Sequence, residues 1–125
     1  MANPNIVNVA AIYGNTSTTA LSSTSATSIV SNAASSGKVY RINSLVVANV
    51  DGTNAADITI NIYSAASLGG TAFAIASTIS VPADASLIVI DKTTGIYLLE
   101  DKSIGAIAGA ANDLVVTCSW EEINA

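Results

Sequence analysis

The chain has 125 residues, a formal net charge of −5 at pH 7, half of its residues hydrophobic, and no histidine. The lack of histidine excludes Ser-His-Asp and Cys-His nucleophile systems, and only four basic residues argue against a nucleic-acid or anionic-membrane partner. The length fits one domain, and 15 Ile and 11 Val against 7 Leu favour strands over helices.

The N-terminal third carries no charged side chain before Lys38. A strand is predicted over 6–12, and a Ser- and Thr-rich stretch follows over 14–28. Two interpretations of this stretch are open: a solvated loop, or an arm that becomes ordered against a neighbouring subunit at modest desolvation cost. The sequence therefore predicts an N-terminal strand or arm over 1–23 and a sandwich domain over 24–125. No secretory leader or membrane-spanning segment is expected, because no apolar run is long enough.

Two further strands are predicted before the middle of the chain. One is short, over 25–30, and the other is long, over 38–50. Apolar residues of the long strand change frame near Asn43 and Ser44, which indicates a bulge or bend. Asp51-Gly52 follows, and this dipeptide tolerates the positive φ angles of turns.

Three segments alternate apolar and other residues with period two, the pattern of half-buried strands. The first, over 56–63, puts three residues on one face: Ile58, Ile60 and Ile62. The second puts five residues on one face: Phe73, Ile75, Ser77, Ile79 and Val81. The third, near the C-terminus, puts four on one face: Leu114, Val116, Cys118 and Trp120.

Shorter strands are predicted over 87–90, 96–99 and 103–108, separated by turns rich in Gly, Pro and Asp. The total is eight or nine short antiparallel strands at sandwich-like spacing, with no amphipathic helix. The fold class predicted is all-β, a single β-sandwich of jelly-roll or immunoglobulin-like topology.

Ionisable residues offer no recognisable catalytic arrangement. Glu100-Asp101 and Glu121-Glu122 are adjacent pairs, and adjacent side chains of a strand point to opposite faces. Cys118 is the sole cysteine, so it cannot form an internal disulfide, and we expect no zinc site with it. We therefore expect no enzymatic activity, no cofactor and no metal site.

A candidate interface follows from the apolar residues of the uncharged segment and from the single tryptophan. Trp120 continues the inward register of its strand, so it is either a core aromatic or an anchor at a subunit contact. The candidate interface residues are Ile6, Val7, Val9, Ile12, Tyr13 and Trp120.

Three stretches together resemble small virion structural proteins of tailed bacteriophages, in particular those of marine cyanobacterial phages. At 36–53 a Ser-Gly-Lys turn leads into a long strand with an Asn-Val-Asp-Gly exit. At 79–87 a Val-Pro-Ala turn follows, and 116–123 is a final strand that ends in Glu-Glu-Ile. An acidic turn over 99–103 lies between the Val-Pro-Ala stretch and this final strand.

The resemblance implies a β-sandwich that coats or joins part of a virion, assembled in the host cytoplasm. It favours a capsid decoration (cement) protein, bound as a homotrimer to the lattice of the major capsid protein. Two alternatives remain: a neck, tail or fibre component, and a module that binds host glycans.

Overall fold

The computed structural model describes residues 5–124, which form two antiparallel β-sheets enclosing one core. Nine strands and no helix lie within this range, which confirms the all-β sandwich. In chain order the strands are β1 (Ala11–Ala20), β2 (Thr27–Asn32), β3 (Lys38–Asn49), β4 (Ala56–Ala65), β5 (Gly69–Val81), β6 (Ser86–Ile90), β7 (Ile96–Leu98), β8 (Lys102–Ala108) and β9 (Leu114–Asn124).

The strand order identifies a jelly roll. The first sheet has the order β1-β9-β3-β6, with the short β7 also paired to β3, and the second sheet has the order β2-β8-β4-β5. Apart from the short β7, these are the two interleaved four-stranded sheets of the double Greek key in jelly-roll domains. The immunoglobulin-like alternative is therefore wrong.

Side chains from both sheets fill the core along the predicted faces. Ile58 and Ile60 of β4 are fully buried, and Ile62 packs against the same cluster. The predicted inward face of β9 is also confirmed, because Val116 and Cys118 are fully buried there. Burying each large aliphatic side chain contributes about 1.5–3 kcal/mol, so these two central strands supply much of the stability.

The predicted single face of β5 is wrong. Ala76 and Val81 are buried, whereas Phe73, Ile75 and Ile79 are exposed. The β4–β5 register shifts at three places, and Thr78 has a φ of 45° with its N–H donating to Thr59 Oγ1 at 2.9 Å. Bulges change which side chains face the core, and the sequence gives no sign of them here because the predicted face of β5 keeps one frame throughout.

The frame change predicted in the long strand is confirmed. The pairing of β3 with β9 shifts between Ile42 and Ser44, and the Asn43 amide at this bulge donates to Glu121 Oε1 at 3.0 Å. The other short strands, β2, β6, β7 and β8, lie within one or two residues of their predicted positions.

The N-terminal strand lies later than predicted. A turn occupies 5–8, where the Asn8 N–H bonds to the Asn5 carbonyl, and β1 runs through the stretch predicted as a loop. The loop interpretation of 14–28 is thus wrong for most of that stretch. In the structure β1 pairs with β9 of its own chain, so an arm ordered against a neighbour stays a prediction, as does the division after residue 23.

Two buried asparagines tie the sheets together at different places in the sandwich. Asn32 of β2 donates to the carbonyls of Lys38 and Leu98 in the first sheet, at 2.9 and 3.2 Å. Asn49 of β3 donates to the Val81 carbonyl in the second sheet, at 2.9 Å. A buried amide is stabilising only when it is paired, so both residues fix the relative position of the sheets.

Candidate functional site

Most of the predicted interface residues are exposed. Val7 is the most exposed at 91%, Ile6, Ile12 and Tyr13 are about half exposed, and Val9 is half-buried. Ile12 and Tyr13 are adjacent in β1 and so point to opposite faces of the first sheet. The predicted set therefore does not form one continuous patch, and its role at an interface stays a prediction.

Ile12 belongs to an apolar row that crosses three strands. It pairs with Ile123 of β9, which on its other side pairs with Val39 of β3. Ile123 and Val39 are buried, whereas 54% of Ile12 is exposed. The row thus reaches solvent at the outer strand of the sheet.

Trp120 packs against the core, as its register predicted. Its ring stacks on Tyr40, with ring centroids 6.1 Å apart, and its strand neighbour across β3 is Ile42. Burial, and then the Glu122 carboxylate, raise the pKa of Tyr40, while the Lys38 ammonium acts in the opposite direction. This packing agrees with the interpretation of Trp120 as a core aromatic. Its role as an anchor at a subunit contact stays a prediction.

The sheet edges are the least protected part of the surface. The outer strands β1, β2, β5 and β6 contain no charged residue. Large apolar side chains project from three of them: Ile12 and Tyr13 from β1; Phe73, Ile75 and Ile79 from β5; and Ile88 from β6. Charged residues, bulges and short length are the usual defences of an edge against pairing with another chain.

Only β1 lacks all of these defences. The pairing of β2, β5 and β6 with their neighbours shifts register, and β6 has only five residues. In contrast, β1 pairs with β9 over ten consecutive residues without a shift. Sequence reasoning missed the exposed residues of β5 and β6, because their alternation gave no sign of the bulges or of an edge position.

The charged residues mostly serve the fold itself. Lys38 forms an ion pair with Glu122 at 3.4 Å, and Lys102 donates to the Ser64 carbonyl at 3.2 Å. Arg41 lies over the Tyr97 ring, 5.4 Å from its centroid, and donates to the Tyr97 hydroxyl at 3.1 Å. The three cationic side chains therefore make separate contacts within the fold and do not form one basic patch.

The two adjacent carboxylate pairs have separate partners. Glu121 accepts from Asn43 and Glu122 pairs with Lys38, whereas Glu100 accepts from the Gly37 N–H and Asp101 from the Ala66 N–H. Residues 5–124 form no pocket and bring no three potential metal ligands together. Nor does that part of the chain contain a helix suited to crossing a membrane.

Cys118 is enclosed by the core. Its side chain is fully buried, and burial raises the pKa of the thiol to about 12 from an ordinary value of 9.0. As the pH rises, the thiol therefore ionises in the unfolded chain at a lower pH than in the folded protein. The stabilising contribution of the neutral thiol is intact below pH 9 and is lost as the pH rises toward 12.

We expect iodoacetamide to leave native Cys118 unmodified at pH 8 and to alkylate it fully in denaturant. The folded thiol is shielded, and a pKa near 12 leaves about one thiolate in ten thousand at that pH. Mass spectrometry of the intact chain measures both reactions. Alkylation of the folded protein as fast as that of the unfolded protein would contradict this burial.

No protein-family model matches the chain, and no curated protein matches it in sequence. Among solved structures, it is similar to a chain from the Bacillus endospore appendages, described as a family of disulfide-linked pili. The identity is 18%, 90% of this chain and 88% of that chain are covered, and the TM-score is 0.54. The two chains thus share a fold over nearly their whole lengths.

A chain from infectious bursal disease virus, Gx strain, gives a lower score. Its TM-score is 0.34 at 12% identity, with 93% of this chain and 40% of that chain covered. A score at that level supports no argument about this protein.

Proposed function

We propose that this chain is a non-enzymatic structural subunit of a phage virion, namely a capsid decoration protein on the major capsid protein lattice. The observation that carries the proposal is the surface of the sandwich. Its outer strands are uncharged, and three of them expose large apolar side chains. Such edges favour contact with other protein chains.

The segments behind the resemblance to virion proteins occupy the elements that it implies. The Ser-Gly-Lys turn at 36–38 leads directly into β3, a strand of twelve residues. Val81, the first residue of the Val-Pro-Ala turn, is the last residue of β5, and the Glu-Glu-Ile ending lies in β9. Jelly rolls are also a common architecture of viral capsid domains, which supports the proposal by analogy of fold alone.

The charge distribution fits protein partners. With Lys38, Arg41 and Lys102 engaged within the fold, the surface offers no basic stripe for a phosphate backbone or an anionic membrane. A net charge of −5 keeps many copies soluble at the high local concentration of an assembling particle.

A second candidate is a subunit of a fibrous appendage, such as a tail or fibre. It is favoured by the shared fold with the endospore appendage chain, which this chain covers to 88%. Those appendages are described as disulfide-linked, whereas the only cysteine of this sequence is buried in the core. A fibre of this chain would therefore be held together by non-covalent contacts.

The glycan-binding alternative has less support from the geometry. The exposed aromatic side chains Tyr13, Phe73 and Tyr97 lie on three different strands of the two sheets. Arg41 also covers one face of the Tyr97 ring. Sugar-binding sites place aromatic rings in one groove, whereas residues 5–124 form no pocket.

Copy number in purified particles tests the proposal. We expect quantitative mass spectrometry to find this chain in amounts comparable with the main shell protein, because a decoration protein repeats with the lattice. A copy number that is a small fraction of the shell protein would favour the neck, tail or fibre. Absence from purified particles would contradict both. We also propose that the decoration protein is a homotrimer, and light scattering of the isolated protein measures its molar mass to test this.

A further inference from the structure

Strand β1 differs from the other eight strands in its side chains. None of its residues belongs to the hydrophobic core, whereas each other strand contributes at least one buried apolar side chain. The positions of β1 opposite the core residues Cys118 and Val116 hold Ser17 and Thr19. Apart from the pairing of Ile12 with Ile123, β1 is therefore held mainly by main-chain hydrogen bonds to β9 rather than by packing in the core.

One buried side chain ends this ladder. The Leu21 N–H donates to the Leu114 carbonyl at 2.9 Å and continues the pairing of β1 with β9. The Leu21 carbonyl accepts from the Asn112 N–H, and its side chain is 1% exposed within the core. The link that follows, 22–26, is exposed and uncharged and leads to β2 in the other sheet.

We propose that residues 11–21 form an exchangeable unit, which leaves β9 of its own chain and pairs in the same register with β9 of a second copy. Both states contain the same ladder and the same buried Leu21. Their balance is thus set by the link at 22–26 and by protein concentration. The unit carries no charge, so its transfer requires no desolvation of an ion. Such an exchange joins copies in solution whichever assembly the protein serves.

Disulfide trapping tests the exchange. Thr16 Oγ1 lies 3.2 Å from Ser119 Oγ across the β1–β9 pair, which suits a disulfide between cysteines at these positions. Separate Thr16→Cys and Ser119→Cys chains, one of them labelled with 15N, are mixed in denaturant, refolded at high concentration and oxidised. Non-reducing electrophoresis and mass spectrometry then measure covalent heterodimers. The buried Cys118 is retained in both chains.

A matched mixture of Val46→Cys and Thr117→Cys chains provides the control. This pair also joins a neighbouring strand to the outer face of β9, but β3 carries core residues such as Leu45 and Val47. We expect about tenfold more heterodimer from the first mixture, because exchange holds its two thiols at a high effective concentration. Equal yields overturn the proposal, as does a product that is mainly the Thr16→Cys homodimer, which indicates contact between free edges.

Shortening the link gives a second test. Deleting residues 23–25 leaves too little chain to return β1 to its own β9, so light scattering should find exchanged oligomers of two or more copies at dilutions where any wild-type assembly has dissociated into monomers. A folded monomer contradicts the exchange. A chain that fails to fold at any concentration contradicts it too, since a second copy should supply the missing β9. Neither test uses virions. A failure of the strand exchange is therefore distinguishable from a failure of the proposed virion function.

Discussion

Replacing Ile60 by Asp is expected to unfold the protein. Ile60 is fully buried at the centre of β4, between β5 and β8, and the core around it is apolar. A carboxyl group there loses its hydration without gaining partners, whether it is ionised or protonated. The cost should exceed about 4 kcal/mol, a large part of the total stability of a domain this size. Circular dichroism and urea titration measure the loss.

The variant Ile88→Asp is the matched control. It makes the same change in β6 at a position that is 62% exposed, so its carboxylate stays hydrated. We expect its free energy of unfolding to lie within about 1 kcal/mol of wild type. If Ile60→Asp is as stable as Ile88→Asp, then Ile60 does not face the core and the register of β4 is different.

Replacing Asn49 by Leu is expected to lower stability by about 2–4 kcal/mol, or roughly 10 °C in Tm. The Asn49 amide is 3% exposed and donates to the carbonyls of Val81 and Asn54, at 2.9 and 3.0 Å. Its oxygen accepts from the Asp51 N–H at 2.9 Å. Leucine has a similar volume but removes all three of these hydrogen bonds. Thermal and urea unfolding measure the difference.

The variant Asn54→Ala separates this effect from general disturbance of the loop. Asn54 is exposed, and its own amide makes a 3.3 Å contact with Asp51, while its carbonyl remains available to Asn49. We expect a change within about 0.5 kcal/mol. A loss as large as that of Asn49→Leu would place the stabilising contact in the loop rather than between the sheets.

Alternation along the chain predicted much of the core face of two interior strands, β4 and β9. In β4 and β9 both edges are paired to neighbours, and the inward positions Ile58, Ile60 and Val116 are fully buried as predicted. Beyond Ile60 the alternation of β4 fails, because Asn61 is also buried where the register with β5 shifts. The bulge of β3 was also predictable, because Tyr40 and Leu45 lie in opposite frames. Such features are local, and a period-two pattern records them.

The edge strands were predicted poorly for a physical reason. Phe73 and Ile75 follow the same alternation as core residues, but β5 has a neighbour on one side only and bulges against it. Residues 14–20 looked like a loop because β1 contributes no apolar side chain to the core and forms mainly by backbone pairing. The first outcome depends on bulges against the preceding strand β4, and the second depends on β9 at the far end of the chain; the composition of β5 or β1 encodes neither.

The placement of β9 has a consequence for synthesis. It lies between β1 and β3 in the first sheet, yet of the nine described strands it is the last to be synthesised. Until it emerges, β1 lacks its pairing strand and β3 lacks one of its neighbours, so the nascent chain exposes open edges. Completion of the sheet is therefore a late, long-range step, and folding should be slow for a domain of this length. Cells that make many copies at once would benefit from a chaperone that covers these edges.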